Sequence, residues 1–183
     1  AIGLMIGFAA LLGVGELWRK VASPSPEATR KLVHLGSGAA CLALPFIIGS
    51  PWVVLAMAAG MSAVLATSQK LRLLPSLHAV ERRSRGSEYY PIAIFILYLL
   101  TMGRPALYVS AVLVLAIGDA CAALVGIKYG RIHYEVEDSQ KSVEGSAMFL
   151  LVAFLAIHLP LLLMTDLPRE HVVLSAVLVA ALV

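Results

Sequence analysis

Long apolar runs alternate with short polar connections along almost the whole chain. A transmembrane helix needs about 20 mainly apolar residues, and several of the runs reach that length. The pattern therefore predicts an all-α, polytopic bundle of about seven transmembrane helices, with six or eight also compatible. The fourth run is short, which favours shielding by a neighbouring helix, such as one from a second copy in a homo-oligomer. The runs lie at 1–18, 32–49, 51–69, 89–102, 105–127, 147–165 and 171–183.

Basic residues fall almost entirely in alternate connections between these runs. Of the 14 Lys and Arg residues, Arg104 and Arg169 alone belong to the other set of connections. Cytoplasmic loops carry the excess of Lys and Arg in membrane proteins. The connections at 19–31, 70–88 and 128–146 are therefore predicted to face the cytoplasm, at the inner membrane if the source is prokaryotic. This basic face favours anionic lipid headgroups or a phosphorylated ligand, and no nucleic-acid partner is expected.

Composition excludes a soluble globular domain. The chain is 60% hydrophobic and 14% charged, whereas a typical soluble domain is about 25% charged. We expect residues 1–183 to form a single transmembrane domain that is truncated at both ends, because each terminus falls inside an apolar run.

Asp119 is the most informative polar residue, because it lies inside the apolar run 105–127. An ionisable group there costs about 2.5–3.5 kcal/mol on insertion scales, so it should face a polar cavity or partner. Asp119, Ala123, Gly126 and Gly130 recur at helical spacing, which places one carboxylate above a strip of small residues. Carboxylates suit Mg²⁺, and phosphates complete its coordination, so we predict a magnesium ligand at Asp119. Helix packing through the two glycines is the alternative.

A second polar block, Lys141-Ser142-Val143-Glu144-Gly145-Ser146, opens the sixth apolar run. Ser139 or Ser142 can cap the helix, and free backbone N–H groups at a helix start favour phosphate. Lys141 adds a cation, and Glu144 lies one turn further along, so both are expected to address one ligand. The alternative is an ordinary capped helix with a surface ion pair.

Further charged residues lie near the other predicted cytoplasmic ends. Arg30, Lys31 and His34 share one helix face, and Glu88 lies next to the bilayer. A second carboxylate near Asp119 would share a metal or act as a base. The connection before Glu88 contains three arginines that either bind an anion or only enforce orientation, namely Arg82, Arg83 and Arg85.

Taken in order, these blocks resemble the polyprenol kinase family, which groups dolichol kinase, phytol kinase and CTP-dependent diacylglycerol kinase. The resemblance covers roughly residues 27–150 and is of the phytol kinase type. Glu88-Tyr89-Tyr90-Pro91 is similar to a family segment that precedes a span. The blocks are Arg30-Lys31-x-x-His34, Gly118-Asp119-x-x-Ala122-x-x-x-Gly126-x-x-x-Gly130 and Lys141-Ser142-x-Glu144-Gly145-Ser146.

The resemblance implies a membrane lipid-alcohol kinase that moves a phosphoryl group from a nucleotide, CTP above others, to an isoprenoid alcohol such as phytol or a polyprenol. Mg²⁺ is implied at Asp119 with Glu88 or Glu144, and catalytic roles fall to Asp119, Lys141, Glu144, Glu88 and His34. The nucleotide-binding residues implied are Arg30, Lys31, Arg82, Arg83, Arg85, Gly126, Gly130, Ser142, Gly145 and Ser146.

Two other functions stay open. A cytidylyltransferase that makes a CDP-activated lipid would use the same basic face and Mg²⁺. A small secondary transporter would use Asp119 as its ion site, but the inverted repeats and broken helices that favour this class are not evident.

Overall fold

The computed structural model describes residues 2–22, 24, 26–71, 86–136 and 139–183. The described chain is predominantly helical, as predicted. The α-helices are α1 (Ile2–Ala22), α2 (Pro26–Leu42), α3 (Leu44–Ile47), α4 (Pro51–Lys70), α5 (Gly86–Leu100), α6 (Pro105–Leu113), α7 (Asp119–Tyr129), α8 (Val143–Met164) and α9 (Arg169–Leu182).

The chain divides into two compact units, Ala1–Gly103 and Arg104–Val183. In the first unit α1 packs against α2, and α4 packs against α5. Glycine permits the first of these contacts, because a Cβ atom at Gly15 would lie 3.0 Å from the Val33 side chain.

In the second unit α6 and α7 form one continuous helix, Pro105–Tyr129, of 25 residues. Its middle, Val114–Gly118, is wound as a π-helix that ends immediately before Asp119. α8 packs against this helix and against α9. Small residues allow the close approach that membrane helices use in place of hydrophobic burial. The core consists of Ala106, Ala153, Ile157, Leu161, Val172, Ala176 and Ala180.

Four helices in the described part of the chain are long and apolar enough to cross a bilayer: Ile2–Ala22, Pro51–Lys70, Pro105–Tyr129 and Val143–Met164. Apolar helices at Lys31–Ile47 and Tyr89–Leu100 are shorter, and α9 has 14 residues. A helix of that length rises only about 21 Å, against a hydrocarbon core of about 30 Å. The chain is therefore a helical membrane protein, with four spans supported by helix length.

The connection after α7 contains a β-hairpin, which the sequence analysis did not predict. Strands β1 (His133–Val136) and β2 (Ser139–Ser142) pair antiparallel, with Tyr134 opposite Lys141. The Val143 N–H donates to the Ile132 carbonyl at 2.9 Å, which extends the ladder by one step. β2 therefore leads without a break into α8.

Candidate functional site

The two polar blocks of the second unit meet where α7 lies beside the start of α8. A Cβ atom at Gly126 would lie 2.9 Å from Ser142 Oγ, and one at Gly130 would lie 2.9 Å from Ser142 Cβ. A Cβ atom at Gly145 would lie 2.9 Å from the backbone carbonyl oxygen of Ala122. The three glycines thus bring two backbones into contact around Ser142. Gly126 and Gly130 pack against protein here, which was the alternative interpretation of their spacing.

Ser142 caps α8, as one of the two predicted serines. Its Oγ accepts a hydrogen bond from the Gly145 N–H at 3.1 Å. The Val143 N–H is used by the Ile132 carbonyl, and the Glu144 carboxylate interacts with its own N–H and with those of Arg131 and Ile132. Backbone donors predicted to be free for phosphate therefore already have partners within the chain. An anion at this helix start would have to displace the Glu144 carboxylate.

Ser142→Ala tests the cap directly. Alanine keeps the Cβ atom that packs on Gly130 but removes the oxygen that accepts from Gly145. Loss of such a cap costs about 0.5–2 kcal/mol, so we expect a lower midpoint of thermal unfolding for the purified protein in detergent. Ser175→Ala in α9 is the matched control and should not lower it. Equal midpoints for wild type and Ser142→Ala would contradict a stabilising cap.

Glu144 lines an open depression of about 440 Å³ together with Lys128, Tyr129, Gly130 and Arg131. One carboxylate oxygen, Oε2, is buried without a hydrogen-bond partner among the described residues. The Lys128 ammonium lies 5.2 Å from the centre of the Tyr129 ring, and neither Lys128 nor Arg131 forms a salt bridge with a described residue. The depression thus offers two cations for a phosphate and a carboxylate for a hard cation.

Lys128 and Arg131 were not among the residues selected from the sequence. Both flank Gly130, at the end of α7 and directly after it. The signal that could have identified them is their position on either side of the glycine that ends the helix.

Lys141 lies in β2 and pairs with Tyr134 across the hairpin. The Tyr134 hydroxyl and Ser146 Oγ are hydrogen-bonded at 2.5 Å. Directly paired residues place their side chains on the same face of a sheet, so Lys141, Tyr134 and Ser146 belong to one side of the hairpin. Lys141 and Glu144 were predicted to lie one helical turn apart. That prediction is wrong, because Lys141 lies in strand β2 and the helix begins only at Val143.

Asp119 is the first residue of α7 and is exposed. Its carboxylate makes no hydrogen bond or ion pair with any described residue. Gly118 lies beside Phe149, and Ala122 lies beside Gly145. Asp119 is therefore level with the second turn of α8, about 6 Å further from the hairpin along the helix axis than Glu144. A π-helical turn inserts a residue and shifts the face that follows it, and such turns are frequent at functional sites.

No group of three or more His, Cys, Asp or Glu side chains that could hold a metal ion forms within residues 2–22, 24, 26–71, 86–136 and 139–183. Nucleotide-bound Mg²⁺ is usually held through one or two carboxylates together with phosphates and water. The carboxylates of Asp119 and Glu144, with the unused oxygen of the latter, fit that donor chemistry.

In the first unit, His34, Ser37 and Cys41 lie on one face of α2, and His34 meets Tyr90 of α5. The His34 and Tyr90 rings are edge-to-face with centres 5.8 Å apart. Ser37 Oγ donates to the His34 carbonyl at 2.9 Å, and the Tyr90 hydroxyl is buried without a hydrogen-bond partner among the described residues. His34 is thus held in an ordered, partly polar contact between two helices.

The other predicted residues of this unit are described less fully. Lys31 is half-buried on α2. Arg30 and Glu88 belong to α2 and α5 by their backbone, but their side chains are not described. Arg82, Arg83 and Arg85 lie outside the described residues.

The helices and the polar end of the α7–α8 pair define a membrane protein with a basic, carboxylate-containing site suited to a phosphorylated ligand. The chain is 34% identical over 158 residues to the phytol kinase of Synechocystis sp., a match that covers 85% of this chain and 68% of the relative. The chain therefore belongs to the phytol kinase-like polyprenol kinase family, as the sequence blocks predicted. No protein-family model and no solved structure matches the chain.

Proposed function

We propose that the chain is a lipid-alcohol kinase that transfers the terminal phosphoryl group of a nucleotide, CTP, to the hydroxyl of an isoprenoid alcohol such as phytol or a polyprenol. One observation carries the proposal. The two blocks on which the family resemblance depends pack together around Ser142, beside the depression that Lys128, Arg131 and Glu144 line. Membership of the family supports the same reaction class.

Phosphoryl transfer depends mainly on positioning and on neutralising charge, with little covalent work by the protein. Lys128, Arg131 and Lys141 are the described cations that would stabilise the phosphates and the charge that develops on them. Asp119 would hold Mg²⁺ with Glu144 or Glu88. When bound, Mg²⁺ would neutralise charge on the phosphates. Further proposed nucleotide ligands are Arg30, Lys31, Arg82, Arg83 and Arg85.

The acceptor hydroxyl must give up its proton during transfer. Asp119, Glu88 and His34 are the three proposed bases, and each is a residue type that performs this role in enzymes. The edge-to-face contact with Tyr90 would hold the His34 ring in one orientation. Activity against pH for His34→Gln and Glu88→Gln separates them, because the variant that loses the true base also loses the corresponding limb of the profile.

We further propose seven spans with the basic connections in the cytoplasm, so that the α7–α8 end of the second unit is cytoplasmic. A membrane-impermeant thiol reagent tests this topology on single-cysteine variants. Gln140→Cys should react in inside-out vesicles, and Arg169→Cys should react in intact cells. The opposite pattern would reverse the orientation, and reaction of both on one side would change the number of spans.

The reaction itself is tested with γ-labelled CTP and ATP, supplied separately with Mg²⁺ and phytol, a polyprenol or diacylglycerol. Label in an organic-soluble product would establish a lipid kinase and identify both substrates. Pyrophosphate release with a phosphorylated lipid, and no label transfer, would indicate a cytidylyltransferase instead. The absence of both label transfer and pyrophosphate release would contradict a lipid-transferase function.

Lys141→Met should lower kcat/KM for the nucleotide by about 10–10²-fold, because a charge-assisted hydrogen bond contributes about 1.5–3 kcal/mol. Methionine keeps the length of the side chain but removes its charge. Lys70→Met, at the end of α4, is the matched control and should leave kcat/KM unchanged. A normal kcat/KM in Lys141→Met, under subsaturating nucleotide, would remove Lys141 from the site.

A further inference from the structure

The β-hairpin has one apolar face and one polar face. Along β1 the side chains alternate, so Ile132, Tyr134 and Val136 share a face, while His133 and Glu135 share the other. The Val143 N–H donates to the Ile132 carbonyl, so Val143 lies opposite Ile132 and belongs to the same apolar face. The exposed fractions on this face are 63% for Ile132, 38% for Tyr134, 39% for Val136 and 46% for Val143.

The apolar face of the hairpin lies on the side nearest the first turns of α8. Its central residue, Tyr134, reaches Ser146, which lies within the first turns of α8. Strand β1 begins shortly after α7 ends, and Ile127 near the end of α7 is 75% exposed. Both neighbouring helices belong to the long apolar set. The apolar face of the hairpin is therefore continuous with surfaces that must contact lipid.

An isolated two-stranded hairpin is at best marginally stable in water, so an apolar face of this kind requires a cover. Its composition fits the membrane interface, where Tyr rings lie at headgroup level and Lys chains extend their charge to the headgroups. Lys141 projects from the same face as Tyr134. Lys128 and Arg131 lie at the adjoining end of α7, so the base of the hairpin is basic and complements anionic lipid. The acidic residues of the hairpin segment are Glu135, on the opposite face, and Glu137 and Asp138, which separate the two strands in the sequence.

We propose that this hairpin is an interfacial membrane anchor. Ile132, Tyr134, Val136 and Val143 are immersed at the boundary between headgroups and acyl chains, while His133 and Glu135 face water. The occupant of the apolar face is the lipid bilayer itself. The inference rests on the two faces of the hairpin and on its junctions with α7 and α8, and it does not depend on the catalytic activity.

The alternation of faces gives a sharp test in the full chain. Cysteine is placed singly at 132, 133, 135 and 136 in a Cys41→Ala, Cys121→Ala background and labelled with an environment-sensitive fluorophore. Each protein is reconstituted into vesicles of phosphatidylcholine and phosphatidylglycerol. Quenching by nitroxide-labelled lipid should be several-fold stronger at 132 and 136 than at 133 and 135, and quenching by aqueous iodide should show the reverse order.

Two results would overturn the anchor. Equal iodide quenching at all four positions would place the whole hairpin in water. Protection of 132 and 136 from both quenchers would show that protein covers the face, either another part of this chain or a second copy. Each of the four side chains is exposed, so the substitutions remove no core contact, and a monodisperse elution profile serves as the folding control.

Discussion

Asp119→Asn is expected to lower turnover by at least about 10²–10³-fold, because a metal ion supplies several kcal/mol of charge stabilisation to a transition state. Asparagine matches aspartate in shape but lacks its charge, so the protein should still insert and fold. Removing a charge from an apolar helix even lowers the cost of insertion. Label transfer at saturating nucleotide and Mg²⁺ measures the effect.

Asp166→Asn is the matched control, since that carboxylate is exposed in the connection between α8 and α9. It should retain full activity. Asp119→Glu should recover part of the turnover and require more Mg²⁺, because the carboxylate is restored at a displaced position. Near-normal turnover in Asp119→Asn would remove Asp119 from the metal role and leave Glu88 and Glu144 as the carboxylates to examine.

The features that could be predicted from the sequence depend on local information. A carboxylate inside an apolar run is costly wherever the helix packs, so Asp119 could be selected without any knowledge of tertiary structure, and its role as a metal ligand stays a prediction. The cap at Ser142 likewise follows from the residue types that begin a helix, so it needed no knowledge of distant segments.

The features that were missed depend on contacts between distant segments. The stretch Ile132–Val136 alternates for only five residues, and in the sequence its strand partner follows two acidic residues, Glu137 and Asp138. Polarity alone therefore indicated a loop. The N–H groups at the start of α8 looked free because their acceptors, the Ile132 carbonyl and the Glu144 carboxylate, are placed by that hairpin. The spacing of Gly126 and Gly130 could not distinguish an open groove from the packed contact observed.

Gly145→Ala is expected to destabilise the second unit by about 1–3 kcal/mol, the usual cost of forcing extra volume into a packed contact. The new Cβ atom would lie 2.9 Å from the Ala122 carbonyl oxygen and 3.3 Å from Gly126 Cα. Both of these are backbone atoms, which cannot rotate away as a side chain can. The start of α8 must therefore separate from α7, which also moves Ser142 and Glu144 relative to Gly130. Activity should fall with stability.

Gly7→Ala in α1 is the control for the same chemical change, because nothing lies within 4 Å of a Cβ atom built there. Alanine favours a helix over glycine by about 1 kcal/mol, so this variant should unfold at the wild-type temperature or above it. Thermal unfolding in detergent, with activity assayed well below every midpoint, separates lost stability from a displaced site. If Gly145→Ala unfolds at the wild-type temperature with normal activity, α7 and α8 do not need this close contact, and the site cannot depend on the packing of the two polar blocks around Ser142.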